Sequence, residues 1–307
     1  MKSIHDVAAP AKLNLFLHVV GRRADGYHLL QSAFVLIDWA DTLHFERRDD
    51  GRLARHDLGA ALPADDLCLR AARSLRAESG TGYGVDISID KQVPSGAGMG
   101  GGSSDAASTL LALNRLWALD WPLSRLIALG LRLGADLPFF LGGRNAWVEG
   151  IGELLTPIDL PQQRFAVVKP AASLATEAIF KSPLLVRDTE AVIVAGFLAD
   201  AGIGEAGIGE AGIGKLVQGW GRNDLQPPAQ AECDEVAQAA RWLEAQFGNS
   251  RMTGSGSAVF ARVAAQAAET GAGSTPMATM PPDLPAGWVG RMCRSLGQHP
   301  LAGWARD

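Results

Sequence analysis

Between Pro94 and Ser108 the chain reads PSGAGMGGGSSDAAS. Just upstream, Val85, Ile87 and Ile89 alternate as they would on a strand with one buried face; just downstream, Ala106, Leu110, Leu113 and Trp117 recur at helical spacing. So much bare backbone between a strand and a helix dictates a strand, glycine loop, helix unit. A linker would not run straight into a patterned amphipathic helix. The spacing Gly96-x-Gly98-x-x-Gly101, with Asp120 about 20 residues on, satisfies the dinucleotide fingerprint on paper. However, the preceding strand alternates, Pro94 intervenes, and no second strand ends at Asp120. A Walker loop fails because no lysine precedes Ser103 or Ser104. What remains is a phosphate cradle: consecutive glycines let backbone N–H groups converge on one point, and the helix N-terminus adds partial positive charge there. Ser103 and Ser104 either cap the helix or offer a hydroxyl to a phosphate or to magnesium. Asp105 suits the helix dipole but repels a phosphate, and its role stays open.

The rest of the chain arranges itself around this unit. From Val7 to Val20 the sequence alternates, placing Leu13, Leu15, Leu17 and Val19 on one face and Lys12, Asn14, Phe16 and His18 on the other. Asp25-Gly26 marks a turn, and FVLIDWADTLHFE reads as another strand. Helices are expected over DDLCLRAARSLRAES, from Leu123 to Leu133 with a stop at Gly134, and near Ala231 to Phe247. The segment from Leu155 to Phe165 reads as a hinge, which predicts two domains, 1–157 and 158–307. RMTGSGSAVFARV is a second glycine turn feeding a strand. The repeat AGIGEAGIGEAGIG, a Gly-rich insert near 199–215, is too rich in glycine for a stable helix. The small, polar run near 268–284 reads as a long mobile loop.

Composition excludes several classes. The net charge of -5 lacks the basic excess of a nucleic-acid binder, and no apolar run reaches the 18 or so residues of a membrane span. MKSIHDVAAP has neither the basic start nor the apolar middle of a secretion signal, so a cytoplasmic chain is expected. Three cysteines, far apart and without histidines at ligand spacing, give no disulfide framework and no protein-built metal site.

Two residues are the first candidates for chemistry. Lys12, in an otherwise apolar strand beside Asn14, needs an acceptor if it is buried, although a solvated outer face would also account for it. Asp136 in GADLPFFLG is placed either to act on a substrate or simply to cap the helix that Pro138 opens. Tyr27, His28 and Phe180 are packing residues or ligand contacts.

PAKLNLFLHVVGRRADGYHLLQS, KQVPSGAGMGGGSSDAAS, LGADLPFFLGG, IFKSP and MTGSGSAVFA follow one another in the order found in the GHMP kinases. Together they closely resemble the 4-diphosphocytidyl-2-C-methyl-D-erythritol kinases of non-mevalonate isoprenoid synthesis. The likeness spans nearly the whole chain. It implies an α+β fold of two domains, the first like ribosomal protein S5 domain 2 and the second ferredoxin-like, with the site between them. It implies an ATP-dependent phosphotransferase acting on a small cytidylylated alcohol, with Mg2+, as a monomer or weak homodimer. By the same resemblance, Asp136 is the general base, with Lys12 beside it and the substrate hydroxyl. Pro94, Gly96, Gly98, Gly100, Gly101, Gly102, Ser103 and Ser104 wrap the ATP phosphates, and Lys91 lies close to the adenosine. Asn14 helps hold the substrate, Tyr27 and His28 meet its cytidine end, Phe180 stacks on the cytosine and Thr176 lies nearby. Met99 stands where leucine is common in the family, an exchange that a side chain packed beneath the loop tolerates. Another GHMP kinase, for homoserine or mevalonate, would share the loop and Lys12 but has no reason to carry GRRADGYH; a non-catalytic sensor on the same fold has no reason to carry both Lys12 and Asp136.

Overall fold

A 20-residue strand, β1 (Ser3–Arg22), turns through Arg23–Tyr27 and returns as β2 (His28–Arg48), and this long hairpin is the spine of the molecule. In this computed structural model the described residues are 1–59, 61–192, 210–263 and 279–307. The first half adds β3 (Leu53–Asp57), α1 (Leu67–Ser79), β4 (Gly84–Asp90), α2 (Gly101–Leu116), α3 (Leu123–Leu131), α4 (Leu137–Gly142), β5 (Ala146–Glu149) and β6 (Leu154–Pro157). The second half contributes β7 (Arg164–Lys169), α5 (Thr176–Lys181), α6 (Glu210–Val217), α7 (Gln226–Glu232), α8 (Asp234–Phe247), β8 (Arg251–Met252), β9 (Val259–Val263) and β10 (Val289–Leu296). No helix among the described residues is long and apolar enough to cross a membrane.

One sheet runs through both halves in the order β3-β4-β2-β10-β7-β9-β8, with β1 on β2 and β5 between β2 and β6. Strand β10 is the join. Its Val289–Arg294 stretch pairs antiparallel with β7, and its last two residues pair with Ile37 and Leu36 of β2. The tail then returns to the first half: Leu301 and Ala305 are buried in the core that α1, α2, α3 and α4 form over β2 and β4. A boundary at 157 therefore does not divide the contacts cleanly, because the last residues of the chain complete the first domain's core.

The single apolar face expected for β1 is not found. Register shifts fall between Pro10 and Lys12 and between Asn14 and Leu17. Leu15 and Phe16 consequently share one core, with Trp147 and Phe165, while Leu17 and Val19 enter another, under α8. A bulge inserts a residue and resets which face the following side chains take. The helix expected from Ala231 to Phe247 is two helices, broken at Cys233, which is extended at φ −147° and ψ 109°. Asp234 and Glu235 then begin α8 where the helix dipole favours acidic side chains. The repeat was expected to avoid helix, yet its last residues open α6, anchored by the fully buried Leu216. Packing of that one side chain outweighs weak local propensity. The remainder of the insert and most of the 268–284 run lie outside the described residues.

Candidate active site

The glycine stretch leaves β4 and folds into a tight cradle in which Gly98 and Gly100 take left-handed φ values of 72° and 69°. A Cβ on Gly98 would sit 2.3 Å from the Thr253 carbonyl oxygen, closer than any side chain could approach. The two glycine turns are in fact packed backbone on backbone. Ser257 N and Ala258 N, from the turn before β9, donate to the carbonyls of Gly96 and Ala97 at 3.3 and 3.1 Å. Gly100 is the N-cap of α2 and no side chain caps that helix, so neither serine is spent on capping. The first-turn amides of α2 have no partner within the helix, which is what an anion site needs. Gly96, Gly98, Gly100 and Ser103 line a cleft of about 1010 Å³. Pro94, Gly101, Gly102 and Ser104 do not; Ser104 is fully buried with its hydroxyl unpartnered.

Lys91 is also absent from the cleft wall. Its ammonium contacts Asp41 and, at 2.6 Å, Asp105, and all three side chains are nearly buried. Asp41 in turn accepts from the amides of Gln92 and Val93 at 2.6 and 2.7 Å. Asp105, whose role the sequence left open, thus belongs to a buried charge cluster that fixes both ends of the glycine loop. Burial, with the Asp41 carboxylate nearby, raises the Asp105 pKa to about 8 against the pull of Lys91.

At the cleft floor the two candidate catalytic side chains meet. Lys12 Nζ lies 3.6 Å from Asp136 Oδ2, bonds Asn14 Oδ1 at 2.7 Å and sits 4.2 Å above the Phe34 ring. Lys12 is only 3% exposed, so the solvated-face reading of this residue does not hold. Burial pushes its pKa below the ordinary lysine range, with Asp136 opposing that shift. Asp136 occupies the N-cap position of α4, yet its side chain bonds no amide of that helix and stays partly open to the cleft. Its carboxylate is therefore available for chemistry. The bulge before Leu17 and the Thr253 hydroxyl, which accepts from Asn14 N at 2.9 Å, hold Asn14 in place. Asn14 Nδ2 reaches Ser32 Oγ at 2.9 Å.

Tyr27, His28, Thr176 and Phe180 line the same cleft. The aromatic partner of Phe180 is His28, stacked at 5.0 Å and 28°, whereas Tyr27 projects into solvent at 61% exposure. Thr176 Oγ1 is 2.7 Å from Ser255 Oγ, tying α5 to the second glycine turn. Sequence reasoning missed Arg187. Its Nε donates to His28 Nε2 at 3.2 Å, and its Nη2 donates to the carbonyls of Phe180 and Ser182. Burial first, then Arg187 and Arg22, keep His28 below the ordinary histidine pKa; with Nε2 accepting, the neutral ring carries its proton on Nδ1. No local pattern marks Arg187, while Thr253 and Ser255 lie inside a turn the sequence did single out. No group of three or more His, Cys, Asp or Glu side chains suited to a metal occurs among the described residues. With Asp105 engaged by Lys91, the hydroxyl that α2 presents to the cleft is that of Ser103, and no carboxylate of the loop stands beside it; that fits a magnesium ion carried by nucleotide phosphates and not a protein-built cage.

Comparison with known proteins agrees with this geometry. The family model described as GHMP kinases N terminal domain matches residues 66–144, and that for GHMP kinases C terminal matches 210–274. Fold and glycine loop are those of this kinase class. A homoserine kinase structure from Cytophaga hutchinsonii shares the fold at a TM-score of 0.65, with 15% identity over 97% of this chain and 96% of that one. A crystal structure of 4-(cytidine 5'-diphospho)-2C-methyl-D-erythritol kinase aligns at a TM-score of 0.69 and 34% identity, covering 84% of this chain and 89% of its own. The 4-diphosphocytidyl-2-C-methyl-D-erythritol kinase of Methylibium petroleiphilum is 62% identical over 99% of both chains, and that of Variovorax paradoxus is 57% identical over 99% of this chain and 100% of its own. The chain belongs to the 4-diphosphocytidyl-2-C-methyl-D-erythritol kinase family.

Proposed function

We propose that the protein transfers the γ-phosphoryl group of ATP to the 2-hydroxyl of 4-diphosphocytidyl-2-C-methyl-D-erythritol, a step of isoprenoid synthesis. The observation that carries this reading is the Lys12–Asp136 pair, 3.6 Å apart, in the cleft that the glycine cradle opens into. Phosphoryl transfer asks mainly for in-line positioning and for compensation of charge on the moving oxygens. The cradle amides and the α2 N-terminus supply compensation, and Ser103 offers a hydroxyl to the phosphates. Asp136 accepts the proton of the attacking hydroxyl late in the transfer, while the Lys12 ammonium, steadied by Asn14, orients that hydroxyl. Ser103 would help hold a magnesium ion carried by the nucleotide, which would supply further compensation of the phosphate charge.

At the other end, the cytosine takes the Phe180 face that His28 covers, and Tyr27 swings in from solvent to close the second face. Stacking tolerates any base, so hydrogen bonds around His28 select cytosine. Thr176 lies beside this end of the substrate. Pro94, Gly101, Gly102 and Ser104 shape the cradle from behind. Lys91 acts through the buried cluster beneath the loop, on the adenosine side of the nucleotide. The enzyme works in the cytoplasm as a monomer or weak homodimer. A coupled assay of ADP release tests the reading: turnover with the cytidine diphosphate substrate and none with mevalonate or homoserine is the expected outcome, and comparable turnover with either of the latter overturns it.

A further inference from the structure

A second cleft, of about 640 Å³, opens beside β8 and β9 and shares no lining residue with the catalytic one. Arg164, Arg251 and Arg262 line it, together with Gln163 and Asn249, and among the described residues no aspartate or glutamate does. Arg251 spends its donors on main-chain carbonyls, those of Leu15, Trp220, Gly219 and Gly221. Arg262 does not: its Nε and Nη2 are buried with no hydrogen-bond partner. Gln163 is 9% exposed, and both its amide nitrogen and its amide oxygen are likewise unpartnered. Burial, and for Arg262 the neighbouring Arg251, lowers both guanidinium pKa values to about 10.

Buried polar groups in folded proteins are nearly always paired, and a guanidinium taken out of water without an acceptor is strongly disfavoured. Here one such guanidinium, that of Arg262, stands in the same cleft wall as the unpartnered Gln163 amide, with no carboxylate among the described lining residues. Planar N–H forks match the oxygens of a phosphate, which accepts from two of them at once. Gln163 narrows the choice further, because it presents one free donor and one free acceptor. Hydrogen phosphate near neutral pH carries both acceptor oxygens and an O–H donor, whereas sulfate has acceptors alone. We infer that this cleft is a second anion site, separate from the catalytic one, that binds hydrogen phosphate between Arg262 and Gln163, with Arg251 adding positive charge beside them.

The test is calorimetric titration of inorganic phosphate into the full-length enzyme saturated with a non-hydrolysable ATP analogue, which keeps phosphate out of the catalytic cradle. One saturable site per chain is expected, with affinity at least tenfold lower in both Arg262→Gln and Gln163→Leu, and with sulfate binding several-fold weaker than phosphate. The KM for ATP should stay within twofold of wild type in both variants. Pyrophosphate, titrated in parallel, distinguishes a site for the single phosphate from one for a larger phosphorylated ligand; tighter binding of pyrophosphate overturns the hydrogen-phosphate assignment. Should Arg262→Gln fail to fold, Gln163→Leu alone decides. Equal binding by wild type and Gln163→Leu overturns the proposal. So does loss of binding once the analogue is present, or a gain in Tm no larger than that given by chloride at the same ionic strength.

Discussion

Asp136 shows how little of a residue's role is visible in its immediate sequence. The pattern G-A-D-L-P is that of a helix cap, and the residue does stand at the N-cap of α4, but its carboxylate is turned toward Lys12. In Asp136→Asn the side chain keeps its size and loses its basicity. We expect kcat to fall by about two to four powers of ten, the range of general-base effects, with ATP affinity unchanged. A wild-type rate in single-turnover measurements would remove Asp136 from the mechanism. For Phe180→Ala the expectation is different in kind. Loss of a base-stacking face, worth about 1–3 kcal/mol, should weaken CDP binding about tenfold or more while leaving ATP binding alone; equal losses of both would make Phe180 a packing residue. Lys12 was legible as a residue that needs an acceptor if buried among apolar strand neighbours, whereas the pattern around Asp136 left a helix cap equally open and only the resemblance singled out its carboxylate. That the two touch depends on the β1 bulges and on α4 meeting the spine, which no local pattern encodes. Arg187 was invisible for the same reason: its bonds to His28 and to the carbonyls of Phe180 and Ser182 join segments distant in the chain.

The strand, loop and helix around Gly96–Ser104 were readable as elements because each obeys its own period and glycine punctuates the join. What could not be read is that the loop is clamped on both sides, by the Lys91 cluster below and by the second glycine turn against it. Gly98→Ala measures the second clamp. At φ 72° the new methyl costs about 1–2 kcal/mol in backbone conformation alone, and it meets the Thr253 carbonyl besides. Stability should fall by about 2 kcal/mol or more in urea unfolding, and the KM for ATP should rise as the two turns move apart. An unchanged KM would mean that the turns do not depend on each other. The failures among elements have physical causes too. Alternation along β1 was a sound reading of an uninterrupted strand, and the bulges interrupt it; α6 forms because Leu216 finds a core, which glycine content alone does not reveal.

Over the whole molecule the sheet is continuous, and the carboxyl-terminal tail is part of the first domain's core. His299 anchors that tail: its amide donates to the Gly143 carbonyl at 2.8 Å, its Nδ1 accepts from Leu301 N at 3.1 Å, and its Nε2 is buried without a partner. Burial lowers its pKa to about 4 from 6.5. Because the folded state holds this ring neutral while the unfolded chain takes up a proton, the residue's contribution is intact above the unfolded pKa and is lost as pH falls from about 6.5 to about 4. Between about pH 7 and about pH 5 the loss is about 2 kcal/mol. Urea unfolding at the two pH values should show it, and His299→Asn, which keeps an acceptor but cannot titrate there, should reduce the difference by about that amount. If the variant keeps the full difference, His299 is not its source. The family's two-domain fold was legible from motif order, but the return of the chain was not, since nothing in GRMCRSLGQHPLAGWARD states which surface it will meet. That return bears on biosynthesis. Strand β10 is made after every other strand and helix described above, so a nascent chain emerging from the ribosome holds its amino-terminal half with an unfilled sheet edge and an incomplete core until residues 289–305 have been synthesised. Completion of the first half is thereby tied to synthesis of that segment, and chaperones that shelter exposed strand edges would act on the first half until then.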